Sequence, residues 1–406
     1  MRNIIRTNAN WLVIILGSLL ATANVASAAE SDVPEPFRGF DNSAHYAISY
    51  DDLTALLKAV VVDVGRSTRE VAEPTQAKTG TRMRAKVKRL TANEGNRFYY
   101  ETFDDSDASK EYLRNIQKSL AEVPSQAPLE YFSRDEQLAY WLNLYNVTLL
   151  NEIVAVYPKR NLKKILLGKK SILDKKLLTV AGVPLSLNDI HFTILKENYD
   201  SNPLVIYGLY QGIVGGPDIR KTAYTGNNVW NALENNARDF INSNRGTFSR
   251  DERTFRVSRF YERNAAFFPN FEADLSAHLM NYLEGYERNE LQAAGKIKAD
   301  IDDWTVTDLG GTQQKIGGSL ADSRAALMDS MQSTVADPNN PGKILGATVG
   351  AGSSSTAAKG RKLSRFDPEL LIKLQTINEN RMRENERNAS VTIEELEDAS
   401  GDDEDE

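Results

Sequence analysis

Residues 133–157 read SRDEQLAYWLNLYNVTLLNEIVAVY, and this run decides the fold class. Ser133 followed three positions later by Glu136 makes a capping box, in which the hydroxyl accepts from the third helical amide and the glutamate reaches back to the cap. Past the cap, Leu138, Trp141, Leu142, Tyr145, Leu149 and Ile153 recur at helical spacing. The reading is a long helix around which a domain packs, with Trp141 and Tyr145 in the core rather than on a cofactor. Asn143 and Asn146 are three apart and share nearly one face of it. A buried amide left unpaired costs about 1–3 kcal/mol, so each needs a fixed partner, either the backbone of a neighbouring loop or a ligand.

On the N-terminal side, YDDLTALLKAVVVDV (50–64) has the apolar spacing of a second core helix, and NRFYYETF (96–103) alternates weakly, as a short strand does. On the C-terminal side lies PKRNLKKILLGKKSILDKK (158–176), with eight bases against the single acid Asp174. Such a run is either solvated surface or a place for an anionic envelope polymer. KKLLTVAGVPLSL (175–187) places Ala-Gly between short apolar runs and predicts a hairpin, after which Ser186 caps a helix through LNDIHFTILKENY. YGLYQGIVGGPDIRKTAYTG (207–226) is rich in glycine and leads into a helix over 227–243, a strand in TFRVSRF and a last core helix over 271–283.

The ends read differently. Residues 1–28 have Arg2 and Arg6, an apolar run from Trp11 to Leu20 and the small residues Ala26-Ser27-Ala28, the pattern of a secretory signal peptide cleaved after Ala28. Its loss takes the net charge from −7 to −9. The expected location is periplasmic or secreted, with no transmembrane span in the mature chain. Residues 286–406 contain GGTQQKIGGS, ADPNNPGK and ATVGAGSSSTAAKG and end in VTIEELEDASGDDEDE. Segments so poor in large apolar side chains cannot repay the entropy of ordering, so they read as a disordered acidic tail with an isolated helix over 368–388. On that reading a chain cut after about residue 286 melts like the whole one. The organisation is therefore a signal peptide (1–28), an N-terminal segment (29–49), a globular domain (50–285) and a tail (286–406).

Three motifs, SRDEQLAYWLNLYN, AGVPLSLNDI and GGPDIRKTAYTG, in this order and at these separations resemble the bacterial family catalogued as domain of unknown function number 547. The likeness runs from Tyr50 to Leu283. It implies an Ile-Glu-His triplet in the second motif and two cysteines before Pro-Pro in the third, a cysteine–histidine site on a fold distantly like papain or transglutaminase. This chain departs from that pattern. The triplet is Ile190-His191-Phe192, Gln211 stands at the first cysteine position and Gly216 at the second, and the chain has no cysteine at all. Thiol catalysis and cysteine-bound zinc are excluded, and His45, His191 and His278 lack metal-binding spacing. Neither a metal nor a cofactor is expected.

The fold expected is α+β, one helix-dominated globular domain with short antiparallel strands and a disordered C-terminal tail. The function expected is an exported binding or scaffolding module of the cell envelope, without catalysis, for a polar or anionic ligand or an envelope protein and not for nucleic acid. Its ligand-binding candidates are Asn143, Asn146, Gln211, Gly215, Gly216, Arg220 and Tyr224. Gly212, Gly215 and Gly216 could present amides to an anion, or could simply let backbones pack closely. The alternative is a hydrolase or transferase built on His191, with Asp189 or a tyrosine and no cysteine nucleophile. The two readings separate on whether Asn143, Asn146, His191 and Gln211 meet in an open cleft or are buried and mutually satisfied.

Overall fold

The structure is a computed structural model that describes residues 31–71, 90–104, 106–251, 253–309 and 365–366, together with 376, 379, 380 and 383. The chain parts into Met1–Asp32 and Val33–Glu406, and the architecture is that of the second unit. The expected signal peptide and the acidic C-terminus lie outside the described residues.

At the centre is the helix Arg134–Val156. Ser133 Oγ accepts from the Glu136 amide at 3.2 Å, which is half of the expected capping box. The other half is diverted, because the Glu136 carboxylate instead takes the amides of Ile48 at 3.1 Å and Gly226 at 2.9 Å. The helix is buried on all sides rather than along one stripe, with Tyr140, Leu144, Val147 and Leu150 at 0% exposure as well as Leu138 and Trp141. A helix apolar all round belongs in the middle of a core. The helices Asp107–Ala121 and Val229–Ile241 and the helical turn Asp189–Leu195 pack against it. Trp141 meets the rings of Phe37 and Tyr140 edge-on, each at 5.0 Å.

The expected helix over 50–64 is shorter, Asp51–Val60, because Val61–Val62 (β1) peel away to pair antiparallel with Arg97–Phe98 (β2). Stiff β-branched residues accept that extended backbone readily. Leu178–Val180 (β3) and Val183–Leu185 (β4) form the expected hairpin, with Ala181 and Gly182 at φ 47° and 79°, the left-handed pair that a tight two-residue turn demands. The second-motif helix opens as a π-helix, Asp189–Leu195, which apolar spacing alone could not disclose.

The domain boundary expected at 285 is wrong. Beyond it come the helix Gly285–Ala293 and the strand Lys296–Ile301 (β7). β7 joins the antiparallel pair Thr247–Asp251 (β5) and Thr254–Ser258 (β6), and it does so parallel to β6, the one parallel pair among the described strands. A parallel neighbour needs a crossover, supplied here by the helices between β6 and β7. After β7 the chain threads the interior. Leu162 donates to the Trp304 carbonyl at 3.0 Å, Val214 to Thr305 at 2.8 Å, Val306 to Arg160 at 2.9 Å and Phe98 to Thr307 at 2.8 Å. Trp304 is 7% exposed and Val306 not at all. Farther on, Arg365 and Phe366 are buried too. Of the helix expected over 368–388, residues 376, 379, 380 and 383 are described, and they are helical and exposed.

Candidate functional site

A cleft of about 330 Å³ opens where six segments meet. The central helix contributes Tyr145 and Leu149, and the π-helical turn contributes His191 and Phe192. The third motif contributes Gln211, the end of the helix Arg259–Arg263 contributes Arg263 and Asn264, and Trp304 closes one side. The sixth segment is the stretch 158–176, which lends Leu166, Leu167, Gly168, Ser171, Leu173 and the acid Asp174, but none of its bases, to the lining. That stretch is anchored by Leu162 and Leu166, both buried, while Lys159, Arg160, Lys163, Lys164, Lys169, Lys170, Lys175 and Lys176 are exposed.

The polar floor has definite electrostatics. His191 stacks on Phe192 at 3.9 Å and Phe267 at 5.6 Å, and burial pulls its imidazole down to about 3 against the opposing influence of the Asn264 side chain. It is neutral near pH 7. Its Nε2 and the Asn264 Oδ1 are both buried without a hydrogen-bond partner, while Asn264 Nδ2 donates to the Phe260 carbonyl at 2.8 Å. Arg263 donates to Gln211 Oε1 at 3.0 Å, lies 4.7 Å over the Trp304 ring and stands 3.8 Å from Asp302. Burial lowers its guanidinium to about 10 against the pull of Asp302, so it keeps its charge at neutral pH.

The other expected residues lie elsewhere. Asn143 donates to the Tyr224 carbonyl at 2.8 Å and accepts from the Tyr224 amide at 3.0 Å. Asn146 treats the third motif the same way, donating to the Gly208 carbonyl and accepting from the Tyr210 amide, each at 2.9 Å. Both amides are spent on backbone, so these two residues are clamps rather than ligand contacts. Gly215 donates to the Asp303 carbonyl at 2.9 Å and Gly216 to that of Ile213 at 3.1 Å, which leaves neither amide for an anion. Arg220 donates to the Ala232 carbonyl at 3.2 Å and lies 5.9 Å over the Tyr224 ring, and Tyr224 is buried. None of these residues lines the cleft. His278 is buried against Tyr207, 2.9 Å from its hydroxyl, and His45 is exposed. The separating observation thus divides: Gln211 and His191 meet in the cleft, while Asn143 and Asn146 are internally satisfied.

Arg263, Asn264 and Trp304 were not anticipated. Arg263 and Asn264 carry no sequence signal beyond ending a helix, but KIKADIDDWTV alternates apolar and polar and could have revealed β7 and Trp304 with it.

Covalent chemistry finds little here. The hydroxyls on the cleft belong to Tyr145, Ser171 and no other lining residue. Burial raises the Tyr145 phenol well above its usual range, and Ser171 Oγ donates to the Leu166 carbonyl at 2.6 Å while accepting from the Leu173 amide. Asp189 faces away, held by Lys176 and by the Ser186 amide and hydroxyl. Among the described residues no three His, Asp or Glu side chains are grouped to hold a metal ion, and no helix is long and apolar enough to cross a membrane. A second hollow, about 280 Å³, is lined by Ser67, Glu94, Asp218 and Arg245, whose polar groups pair with one another, Arg245 to Asp218 at 2.5 Å and Ser67 to Glu94 at 2.7 Å.

Residues 129–241 match the model of a family described as "Protein of unknown function, DUF547". The match includes the central helix and all three motifs, and so both Gln211 and His191. No curated protein and no solved structure matches the chain.

Proposed function

We propose that this chain is an exported binding protein of the cell envelope, periplasmic or secreted, whose cleft holds an anionic ligand without forming a covalent bond to it. The observation that carries this reading is the half-buried guanidinium of Arg263 on the cleft lining, with the exposed bases of the 159–176 stretch outside that lining. Arg263, oriented by Gln211 and Trp304, supplies a fixed fork for a carboxylate or phosphate, and the exposed lysines of the 159–176 stretch draw in negative charge. The secretory pattern of residues 1–28 supports export. The absence of cysteine and the engagement of the Ser171 hydroxyl speak against an acyl-enzyme route, which needs a nucleophile beside a base.

The test is calorimetric titration of the purified chain with acidic oligosaccharides, glycerol-phosphate oligomers and acidic peptides. Binding by one class is expected to weaken as salt is raised, and Arg263→Ala to weaken it by about tenfold or more with the fold intact. The competing reading rests on His191 lining the same cleft as Gln211. Turnover of an amide or ester substrate, abolished by His191→Ala with an unchanged melting curve, would replace the binding reading with the enzymatic one.

A further inference from the structure

Arg365 and Phe366 pack against Ser49, Asp52, Ile116, Ser119 and Phe132, none of which lines the cleft. Arg365 is 1% exposed, and all five of its guanidinium N–H groups have partners. Nη1 and Nη2 grip Asp52 Oδ1 and Oδ2 at 2.6 and 2.8 Å, Nη1 also reaches the Ser49 carbonyl at 3.0 Å, Nη2 the Ile116 carbonyl at 3.5 Å, and Nε the Ser119 hydroxyl at 2.9 Å. The Arg365 carbonyl accepts from the Ser49 amide at 2.7 Å. Phe366, 4% exposed, stacks on Phe132 at 6.0 Å.

We propose that this pocket is a peptide-recognition site for an Arg-Phe pair, filled in cis by the chain's own Arg365–Phe366, so that the C-terminal region is held by a separable latch. The specificity is chemical. A planar fork meets a carboxylate through two parallel bonds, and a lysine could satisfy neither the bidentate geometry nor the two carbonyls together. Arginine beside an aromatic ring in a desolvated pocket is also the composition of interface hot spots. Asp52, itself 8% exposed, accepts one other hydrogen bond among the described residues, from the Leu53 amide at 2.8 Å. An emptied pocket would therefore hold an uncompensated carboxylate, a strong incentive to recapture any Arg-Phe segment. The chain offers that segment as RKLSRFDPE, residues 361–369.

The experiment uses the full chain carrying Arg365→Ala and Phe366→Ala, checked for its fold by circular dichroism, and a fluorescein-labelled peptide of residues 361–369. Saturable anisotropy binding is expected for this variant, weaker by about tenfold or more for the unaltered chain, whose pocket is already filled, and for a peptide with lysine in place of the Arg365 equivalent. A second measurement needs no variant. In limited trypsin digestion, the Arg365–Phe366 bond of the unaltered chain should be cut at least about tenfold more slowly than the same bond in the free peptide. A concentration-dependent dimer in which one copy's segment fills the other's pocket supports the site as one used in trans. Cleavage as fast as in the free peptide, or a folded variant that ignores the labelled peptide, overturns the proposal.

Discussion

The two buried histidines show how a single residue sets a pH limit on the whole domain. Burial holds His191 down to about 3 and His278 down to about 4, against an ordinary value of 6.5. An unfolded chain would take up protons at these sites as pH falls below 6.5, while the folded chain refuses them. Their contribution is therefore complete above the ordinary value and is lost progressively as pH falls towards the folded ones, by about 2 kcal/mol per histidine at about pH 5. Glu136 works in the opposite sense, since burial raises its carboxyl and favours the fold as pH drops. Melting curves between about pH 7.5 and 5 should accordingly fall more steeply for the unaltered chain than for one carrying His191→Gln and His278→Gln. Equal slopes would place both imidazoles in contact with water.

Between elements, the decisive contact is that of the third motif with the central helix. Gly212 has φ 70°, and a β-carbon there would come within 2.1 Å of the Ile153 side chain. Gly226 lies so close to Glu136 that a β-carbon would stand 2.6 Å from its carboxylate and 3.2 Å from its Cα. These glycines and the Asn143 and Asn146 clamps hold the motif's backbone against the helix and thereby aim Gln211 into the cleft. Gly212→Ala combines a left-handed backbone penalty with overpacking and should cost about 2 to 5 kcal/mol. The measurement is the urea midpoint at unchanged slope; a loss below about 0.5 kcal/mol would show that the loop yields instead.

Across the whole molecule, the segment after 285 serves as a structural member. β7 completes the three-stranded sheet, and residues 303–307 bond at once to the basic stretch, the third motif and β2. A chain ending at residue 286 loses the burial of Trp304 and Val306 together with these backbone bonds, and should be destabilised by about 5 kcal/mol or more. A chain ending at residue 309 keeps them and loses, among the described contacts, those of Arg365 and Phe366. Its melting temperature should fall between that of the shorter chain and that of the whole one. Equal melting of the 286-residue and full-length chains would restore the reading of 286–309 as dispensable.

The sequence by itself determined the central helix, the Ala181-Gly182 hairpin, the helix-rich class with short strands and the absence of any thiol, because each follows from local spacing, turn chemistry or composition. The site was legible only in part: Gln211 and His191 stood out through motifs, yet nothing local distinguished Asn143 spent on the Tyr224 backbone from Asn143 facing a ligand. Only the tertiary structure decided where each polar group found its partner. Glu136 left its own helix cap for Ile48 and Gly226, Trp304 came from a stretch read as tail to wall the cleft, and Arg365 found Asp52 more than 300 positions away (|i−j| = 313). Such pairings are fixed by desolvation, which obliges a buried polar group to take whatever complementary group the packed chain brings to it, at any separation in sequence.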